Sequence, residues 1–295
     1  MDKSTAIIGF GSVAKIHSRI MYENKNPINY VLTKSESSIP KIKDYFFKEF
    51  SYLPEIMSDC DIFFSKKIHS LVISSPPSTH FDYLLKAFDK RISVFCEKPL
   101  FWEKNTNFNE LEKKINIIES YKNKKFLVNT SNSYFLKPLI SNIRTNKIAK
   151  LRFVFHTNGS SIFEEISEDL LPHGISVLIE TLGFSKIKNI KKKITRYSVG
   201  YEFDYSNANI KFEFKEKKSL DRRMIIEINN HKFTRIQNGK KSSYSVCFRK
   251  EDGTIIKNFD DPFVVYNKKF LEGSTQHKKD IFNLRLMNEL INGYH

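Results

Sequence analysis

Apolar and polar positions follow two different patterns along the chain, and the change comes near residue 150. Before it, short runs of consecutive apolar residues alternate with segments in which apolar positions recur at helical spacing. The runs occupy residues 5–8, 28–32, 69–73, 92–96 and 126–130, and a helical segment follows each of the first four. Runs of this kind are typical of strands that are buried on both faces. Their alternation with helices therefore predicts a doubly wound parallel sheet.

After residue 150, apolar and polar residues alternate with a period of two. The stretches are 151–156, 194–203, 210–214, 224–228 and 232–236. This period is typical of antiparallel strands with one buried and one solvated face. Helices are predicted over 172–183, with Pro172 at the first helical position, and over 264–292. The sequence therefore predicts an α/β protein in which a parallel, doubly wound domain precedes a domain with a mostly antiparallel sheet.

A glycine-rich turn joins the first predicted strand to the first predicted helix. It consists of Gly9, Phe10, Gly11, Ser12, Val13 and Ala14. Gly9 permits a sharp exit from the strand, Gly11 leaves the backbone open to a pyrophosphate, and Ala14 lets the helix pack closely on the strand. The free N–H groups of the helix would face the phosphates. The turn predicts a dinucleotide site, and the alternative is an ordinary turn that holds two glycines.

The end of the second predicted strand bears on the choice of cofactor. An acidic residue here usually accepts a hydrogen bond from the ribose 2′-hydroxyl of NAD. This sequence has Thr33, Lys34 and Ser35 instead, and the first acid is Glu36. Hydroxyl groups and a cation suit a 2′-phosphate, so NADP(H) is the expected cofactor, with NAD(H) as the alternative. An ordinary polar loop with an exposed lysine is the other interpretation left open.

The net charge of +16 raises the question of a nucleic-acid partner. The basic runs at 186–193 and 211–218 lie among alternating, strand-like residues, so we interpret them as solvated faces and expect no nucleic-acid binding. No apolar run approaches the ~20 residues of a membrane span. The first strand begins too early to leave room for a signal peptide. Three widely spaced cysteines form neither a metal site nor a disulfide framework, which favours the cytoplasm.

Three stretches together resemble the Gfo/Idh/MocA family of oxidoreductases. Residues 8–17, IGFGSVAKIH, resemble the opening nucleotide turn of the family. Residues 72–100 resemble its long middle block, which ends in an EKP motif, here at 97–99. Residues 169–173, DLLPH, resemble its DxGxH motif. The middle block is the most specific of the three.

The resemblance implies a Rossmann dinucleotide-binding domain, here residues 1–125, and a domain for substrate binding and oligomerisation, here residues 126–295. Whether the last helix packs back on the first domain is left open. Family members mostly transfer a hydride between a nicotinamide and a carbon that bears a hydroxyl or carbonyl group, commonly on a sugar, sugar nucleotide or cyclitol. They often pair through the outer face of the second sheet. We expect an NADP-preferring, homodimeric sugar or sugar-nucleotide oxidoreductase, with surface-glycan assembly as its setting.

The positions that match the motifs supply the candidate cofactor residues. They are Gly9, Phe10, Gly11, Ser12, Val13, Ala14, Thr33, Lys34, Ser35, Ser75, Pro76, Pro77, His80, Glu97 and Lys98. His17 and His80 are interpreted as packing histidines close to the cofactor. Trp102 is interpreted as a core residue, with packing beside the nicotinamide as the alternative.

Three residues are candidates for the chemistry. Lys98 follows a parallel strand and would orient the reacting oxygen and stabilise charge on it. His173 would carry the proton, because histidine titrates near neutral pH and acts as both acid and base. We expect His173 in the first turn of a helix. The positive helix end would disfavour its protonated form, and the carboxylate of Asp169 would favour that form. Asp169 would also orient the ring.

The sequence departs from the family at three places. Leu171 replaces the glycine of DxGxH, Ser176 stands where the family often has Asp, and Asn132 and Tyr134 stand where an arginine or histidine is common. These departures leave two alternatives open. One is an imine or thiazoline reductase of the same fold, and the other is a nucleotide-binding regulatory subunit without catalysis.

Overall fold

A computed structural model describes residues 4–122, 124–143, 147–239 and 244–293. By residue contacts the chain divides into two compact units. The first comprises Met1–Asn129 and Phe263–Asp280, and the second comprises Thr130–Pro262 and Ile281–His295.

The first unit contains a parallel sheet of six strands within the described residues. The strands are β1 (Thr5–Ile8), β2 (Ile28–Leu32), β3 (Glu55–Met57), β4 (Ser70–Ile73), β5 (Ser93–Cys96) and β6 (Phe126–Val128), in the spatial order β3-β2-β1-β4-β5-β6. The helices between them are α1 (Ser12–Glu23), α2 (Ile39–Phe50), α3 (Cys60–Ser65), α4 (His80–Asp89) and α5 (Phe108–Ser120). This order is that of a dinucleotide-binding Rossmann sheet, so the predicted parallel domain is confirmed.

Burial explains why these segments form their elements. All four residues of β1 are buried, so both faces of the central strand are covered. In α2, the buried residues Ile42, Phe46 and Phe50 recur every four positions and form one apolar stripe. Helix α5 begins at a capping box, in which the Asn107 side chain and Glu110 satisfy each other's backbone N–H groups. The helix is therefore shorter than the predicted 103–121.

The second unit contains an eight-stranded, mostly antiparallel sheet in the part of the chain that the structure describes. Its strands are β7 (Lys150–Thr157), β8 (Ile187–Thr195), β9 (Ser198–Tyr205), β10 (Ala208–Glu216), β11 (Arg223–Ile228), β12 (His231–Asn238), β13 (Ser245–Lys250) and β14 (Ile255–Phe259), in the order β14-β13-β12-β11-β7-β10-β9-β8. Strands β7 and β10 pair in parallel, and the other described pairs are antiparallel. The predicted fold class is confirmed for both sheets.

Four further helices follow β6 in the part of the chain that the structure describes. Helix α6 (Leu136–Ile140) is short, α7 (Glu165–Leu182) packs on the second sheet, and α8 (Pro262–Leu271) and α9 (His277–Asn292) end the chain. The prediction of one helix over 264–292 is wrong, because the chain breaks at Gly273, whose φ of 82° is left-handed. The predicted strand over 194–203 is also wrong, because a tight turn at 196–197 separates β8 from β9.

Two devices protect sheet edges. Strand β8 lies at one edge of the second sheet, and its exposed side chains include Lys188, Lys191 and Lys193. Lysines on an edge strand oppose pairing with another chain, which gives the basic run a structural role. On the edge of β6, Phe126 N–H donates to His277 Nε2 and Val128 N–H donates to Asp280 Oδ2, both at 3.2 Å. Side chains of α9 therefore satisfy the outward-facing N–H groups of that strand.

Within the described residues, no helix combines the length and the apolar character needed to cross a membrane.

Candidate functional site

The glycine turn has the geometry that its sequence predicts. Gly9 has φ of 82°, and a Cβ there would come within 2.9 Å of the backbone at Ser74 O and Ser75 N. A Cβ on Gly11 would meet nothing within 4 Å, because this residue faces open space. The first glycine is therefore required by the fold, and the second leaves a surface that a ligand can approach.

Helix α1 begins directly after this turn and leaves its N-terminus open. Gly11 is the N-cap, no side chain caps the helix, and its first turn contains no acidic residue. The first N–H groups of a helix have no partner within the helix, and they favour anions. This 12-residue helix therefore presents the donors that a pyrophosphate needs.

A cleft of about 760 Å³ opens over the turn, at the carboxyl ends of β1, β2 and β4. Its lining residues are Gly9, Phe10, Gly11, Ser12, Lys15, Thr33, Lys34, Ser38, Lys41, Ile42, Ser74, Ser75 and Pro76. Ligands of open parallel sheets bind at this edge. Among these lining residues there are three lysines and no acid, so the cleft suits an anionic ligand.

The sequence did not indicate Lys15, Ser38, Lys41, Ile42 or Ser74. Lys41 and Ser38 flank the start of α2, so their position follows from the helix that the periodicity predicted over 39–50. Lys15 lies one turn into α1, with its ammonium 4.9 Å from the ring centroid of Tyr45. These residues could have been found by considering the first turns of the predicted helices as well as the glycine motif.

Several predicted cofactor residues lie outside the lining of this cleft. Ala14 is fully buried under the turn and Val13 is half-buried. Ser35 is exposed, and its hydroxyl is 2.9 Å from that of Ser37 and 3.2 Å from that of Ser38. Pro77 begins a short 3₁₀ turn before α4.

His80 is fully buried and ties together two turns of the first unit. Its Nε2 is 2.8 Å from Ser75 O, and its Nδ1 is 3.1 Å from Pro99 O and 3.4 Å from Cys96 Sγ. Burial lowers the pKa of this imidazole. Both ring nitrogens face backbone carbonyl oxygens, and a neutral ring donates to one of the two. The geometry supports the interpretation of His80 as a packing histidine beside the cleft.

Glu97 lies in a buried polar network. Its Oε1 is 2.6 Å from His17 Nε2 and accepts from Asn129 Nδ2 at 2.8 Å. The other ring nitrogen of His17 lies 3.1 Å from the Asn267 amide nitrogen. Burial alone would raise the pKa of Glu97, but the hydrogen bonds and charges around it, from His17 first, hold it below its ordinary value. The network joins α1, β5, β6 and α8 directly beside Lys98.

Lys98 itself is half-buried at the carboxyl end of β5, and its peptide bond to Pro99 is cis. Trp102 follows it and is 5% exposed, which agrees with its interpretation as a core residue. The sequence analysis gave Asn129 no role. Its side chain donates a hydrogen bond to Glu97, the residue before Lys98. Its position after a buried strand was the available signal.

Asp169 and His173 belong to the second unit and lie on α7. The prediction that Pro172 begins this helix is wrong, because α7 begins at Glu165 and Pro172 is inside it. His173 is therefore not in the first turn, and the argument from the positive helix end does not apply to it. Asp169 precedes His173 by one turn on the same helix face. The ring of His173 packs edge-on against Phe155 of β7, with centroids 5.3 Å apart.

The residues that depart from the family motif on α7 are buried. Leu171 is fully buried, and Ser176 is 7% exposed and donates from its hydroxyl to His173 O at 2.8 Å. Gly174 allows the helix to approach the sheet, since a Cβ there would lie 3.0 Å from the Phe214 ring.

No group of three or more His, Cys, Asp or Glu side chains suited to a metal ion occurs in the described ranges. All three cysteines are outside disulfides.

Comparisons with known proteins agree with this geometry. Residues 3–130 match the family model of Gfo/Idh/MocA, described as an oxidoreductase family with an NAD-binding Rossmann fold. A comparison with curated protein sequences found no match.

Solved structures similar to the whole chain include three dehydrogenases. The WlbA dehydrogenase of Thermus thermophilus, in complex with NAD and UDP-GlcNAcA, is 11% identical, with a TM-score of 0.72 over 98% of this chain and 95% of that one. UDP-N-acetylglucosamine 3-dehydrogenase GnnA of Acidithiobacillus ferrooxidans is 12% identical, with a TM-score of 0.72 over 99% and 98%. Myo-inositol 2-dehydrogenase of Lactobacillus plantarum is 14% identical, with a TM-score of 0.73 over 99% and 97%.

At these identities the structural likeness shows the fold, and the family model adds the nature of the first domain. The resemblance noted in the sequence is confirmed. Residues 3–130 match the NAD-binding Rossmann domain of the Gfo/Idh/MocA oxidoreductase family.

Proposed function

We propose that this protein is an NADP-preferring oxidoreductase that transfers a hydride between nicotinamide C4 and a hydroxyl- or carbonyl-bearing carbon of a sugar or sugar nucleotide. The observation that carries the cofactor preference is the cleft over the glycine turn. Lys34, just after β2, and Lys41, in the first turn of α2, line this cleft, and no lining residue is acidic. A 2′-phosphate gains from such cations, whereas an acid would repel it. NAD(H) would bind the same cleft with fewer charged partners.

The chain offers the groups that bind and orient such a cofactor. The open N-terminus of α1 and the bare backbone at Gly11 suit the pyrophosphate. Thr33, Lys34, Ser38 and Lys41 suit the adenosine ribose and its phosphate. The nicotinamide supplies hydride chemistry when it is bound.

For the substrate, we propose separate roles for residues of the two units. Lys98, held beside the Glu97 network, would donate a hydrogen bond to the reacting oxygen and stabilise charge on it. His173 would hold the proton that this oxygen gains or loses, and Asp169 on the same helix face would orient its ring. The substrate class draws support from the UDP-sugar and myo-inositol dehydrogenases that share this fold.

Cofactor binding tests the first part of this proposal. Titration calorimetry with NADPH and NADH should show tighter binding of NADPH to the unmodified protein. Lys34→Asp and Lys41→Asp should each weaken NADPH binding by about 10- to 100-fold, with little change for NADH, because each removes a charged hydrogen bond to the extra phosphate. Lys43→Asp is the matched control, since this exposed α2 lysine does not line the cleft and should leave both affinities unchanged.

Failure has two forms. Equal affinity for the two cofactors, unaltered by Lys34→Asp, would remove the preference for NADP. If neither NADPH nor NADH binds, the oxidoreductase proposal as a whole is wrong.

Turnover tests the second part. UDP-N-acetylglucosamine and myo-inositol, each with NADP⁺ and NAD⁺, should be screened for formation of reduced nicotinamide. Lys98→Ala and His173→Ala should each lower kcat by about 100-fold or more with any substrate that reacts. Cofactor binding without turnover of any hydroxyl, carbonyl or imine compound would favour the non-catalytic alternative.

We also propose that the protein forms a homodimer through the outer face of the second sheet, as the family resemblance implies. On that face Arg152 of β7 bridges Glu213 of β10 and Glu227 of β11, with N–O distances of 2.9 Å to each. This fixed, partly shielded charge network would suit a second copy of the same face. Light scattering should give twice the mass of the chain, and a monomer at micromolar concentration would contradict this part of the proposal.

A further inference from the structure

The helix that carries His173 contains a sequence that disfavours helix at that residue. Pro172, His173 and Gly174 are consecutive in the interior of the 18-residue α7. Proline costs about 3 kcal/mol and glycine about 1 kcal/mol, relative to alanine, in a helix interior. Pro172 also lacks the N–H that would bond to the carbonyl of Glu168. This turn is therefore held by fewer internal hydrogen bonds than the rest of the helix.

Two side chains, one on α9 and one on α7 itself, donate hydrogen bonds to the backbone at this point. Asn283 of α9 donates from Nδ2 to Pro172 O at 2.9 Å, and the Asn283 side chain is buried, with 5% exposure. Ser176 donates from its hydroxyl to the carbonyl of His173 itself at 2.8 Å. Both carbonyl groups that flank the His173 Cα thus receive a side-chain donor.

The Asn283 bond acts on the peptide group that also contains the His173 nitrogen. Fixing the plane of this peptide fixes the direction in which the His173 Cβ leaves the backbone. A buried amide costs free energy unless it is hydrogen-bonded, so an apolar residue would serve at 283 if packing were its only task. The Asn283 amide instead donates to one carbonyl, in the peptide group directly before the His173 Cα.

We propose that Asn283 is a positioning residue for His173, and that Ser176 assists it. The pair sets the orientation of the imidazole without touching the reacting atoms. This inference rests on the proposed role of His173 as proton carrier. It also assigns a task to Ser176, which replaces the Asp that the family often has at that position.

The test observes the imidazole directly and needs neither cofactor nor substrate. The full chain, labelled with ¹³C at histidine Cε1, would give one NMR signal for each of its 8 histidines. The signal that disappears in His173→Gln belongs to His173. In Asn283→Leu we expect this signal to shift or broaden, while signals from the other histidines keep their positions.

Asn288→Leu is the matched control. Asn288 is also on α9 and is 1% exposed, and its Oδ1 accepts from Asn292. We expect this variant to lose thermal stability to a similar extent and to leave the His173 signal unchanged. An unaltered His173 signal in Asn283→Leu, or equal changes in both variants, would overturn the inference.

Two further variants keep the inference testable if Asn283→Leu fails to fold. Ser176→Ala removes the second donor and should perturb the His173 signal less than Asn283→Leu. Asn283→Ala also removes the amide donor, without adding the bulk of leucine, and should perturb the His173 signal as well. An unaltered His173 signal in both of these variants would overturn the inference.

Failure of the proposed function is distinguishable from failure of this inference. If neither NADPH nor NADH binds and His173 still responds to Asn283, the oxidoreductase proposal falls while the positioning of the ring stands. If a cofactor binds and His173 does not respond, only the positioning role is lost.

Discussion

The glycine turn of the first unit and the His173 turn of the second unit reach their geometry in opposite ways. Around Gly9 the local sequence already dictates the structure, because an apolar strand, a glycine with positive φ and a helix with good spacing follow one another. Around His173 the local sequence opposes the structure, and an amide from α9 and the hydroxyl of Ser176 hold the helix together.

The difference separates what is encoded nearby from what is encoded at a distance. A few consecutive residues can encode a dinucleotide site that uses backbone N–H groups, because only the shape of the backbone is required. A side chain that must point in one direction depends on neighbours that pack against it. The His173 turn shows that such neighbours can override helix propensity.

The largest expected effect is at Gly9 of the nucleotide turn, and Gly11 provides the contrast. Gly9→Ala should lower the free energy of unfolding by about 4 kcal/mol, because it combines a left-handed backbone with contacts of 2.9 Å to the backbone at Ser74 and Ser75. Gly11→Ala should change stability by less than about 0.5 kcal/mol, since its Cβ points into open space, yet it should weaken NADPH binding. Urea unfolding and calorimetry on both variants check this pair. Similar stability losses in both would contradict the separation of fold from function within the motif.

A second prediction asks whether the first unit also depends on distant side chains. His17→Leu should cost about 3 kcal/mol, because it leaves the carboxylate of Glu97 buried with one partner fewer. His17→Leu combined with Glu97→Leu should recover part of that loss, since no buried charge then remains. Urea unfolding of the two single variants and the double variant completes the cycle. Strict additivity would show that the pair at 2.6 Å contributes no coupling.

The features that could be predicted from the sequence are those that depend on neighbouring residues, and the features that were missed depend on distant ones. The parallel sheet, the glycine turn and α2 over Ile39–Phe50 were predicted because each depends on patterns within about 15 residues. The start of α7 was missed because Pro172 is a typical first helical residue, and nothing nearby indicates that Asn283 supports it. Lys41 was missed because the nucleotide motif does not include the next helix, although the helix itself was predicted. Asn129 was missed because its partner Glu97 follows a different strand and is 32 residues away in the sequence.

Gly174→Ala sharpens the comparison, because local and distant effects have opposite signs. In an isolated peptide of residues 162–185, alanine should raise helicity, since it gains about 1 kcal/mol over glycine. In the protein the same change should lower the free energy of unfolding by about 1 kcal/mol, because the Cβ meets the rings of Phe214 and Phe212 at 3.0 and 3.1 Å. Circular dichroism of the peptide and urea unfolding of the protein measure the two effects. Stabilisation in both would mean that packing on the sheet does not constrain this turn.

The smallest expected effect lies at the edge of β6 and depends on pH. His277 Nε2 accepts a hydrogen bond from Phe126 N–H, so the ring must be neutral, and burial together with Lys124 lowers its pKa. The unfolded chain, with a histidine pKa of about 6.5, therefore binds the proton more readily than the folded chain. The contribution of His277 to the free energy of unfolding is fully present above about pH 6.5, and it is lost as the pH falls through the lower pKa of the folded chain.

His277→Gln keeps an acceptor without titrating, so the stability of the natural chain relative to this variant should fall by about 1 kcal/mol between about pH 7.5 and about pH 5. His231→Gln, at an exposed position, should show no such trend. A pH-independent difference for His277→Gln would mean that this side chain does not protect the edge as a neutral acceptor.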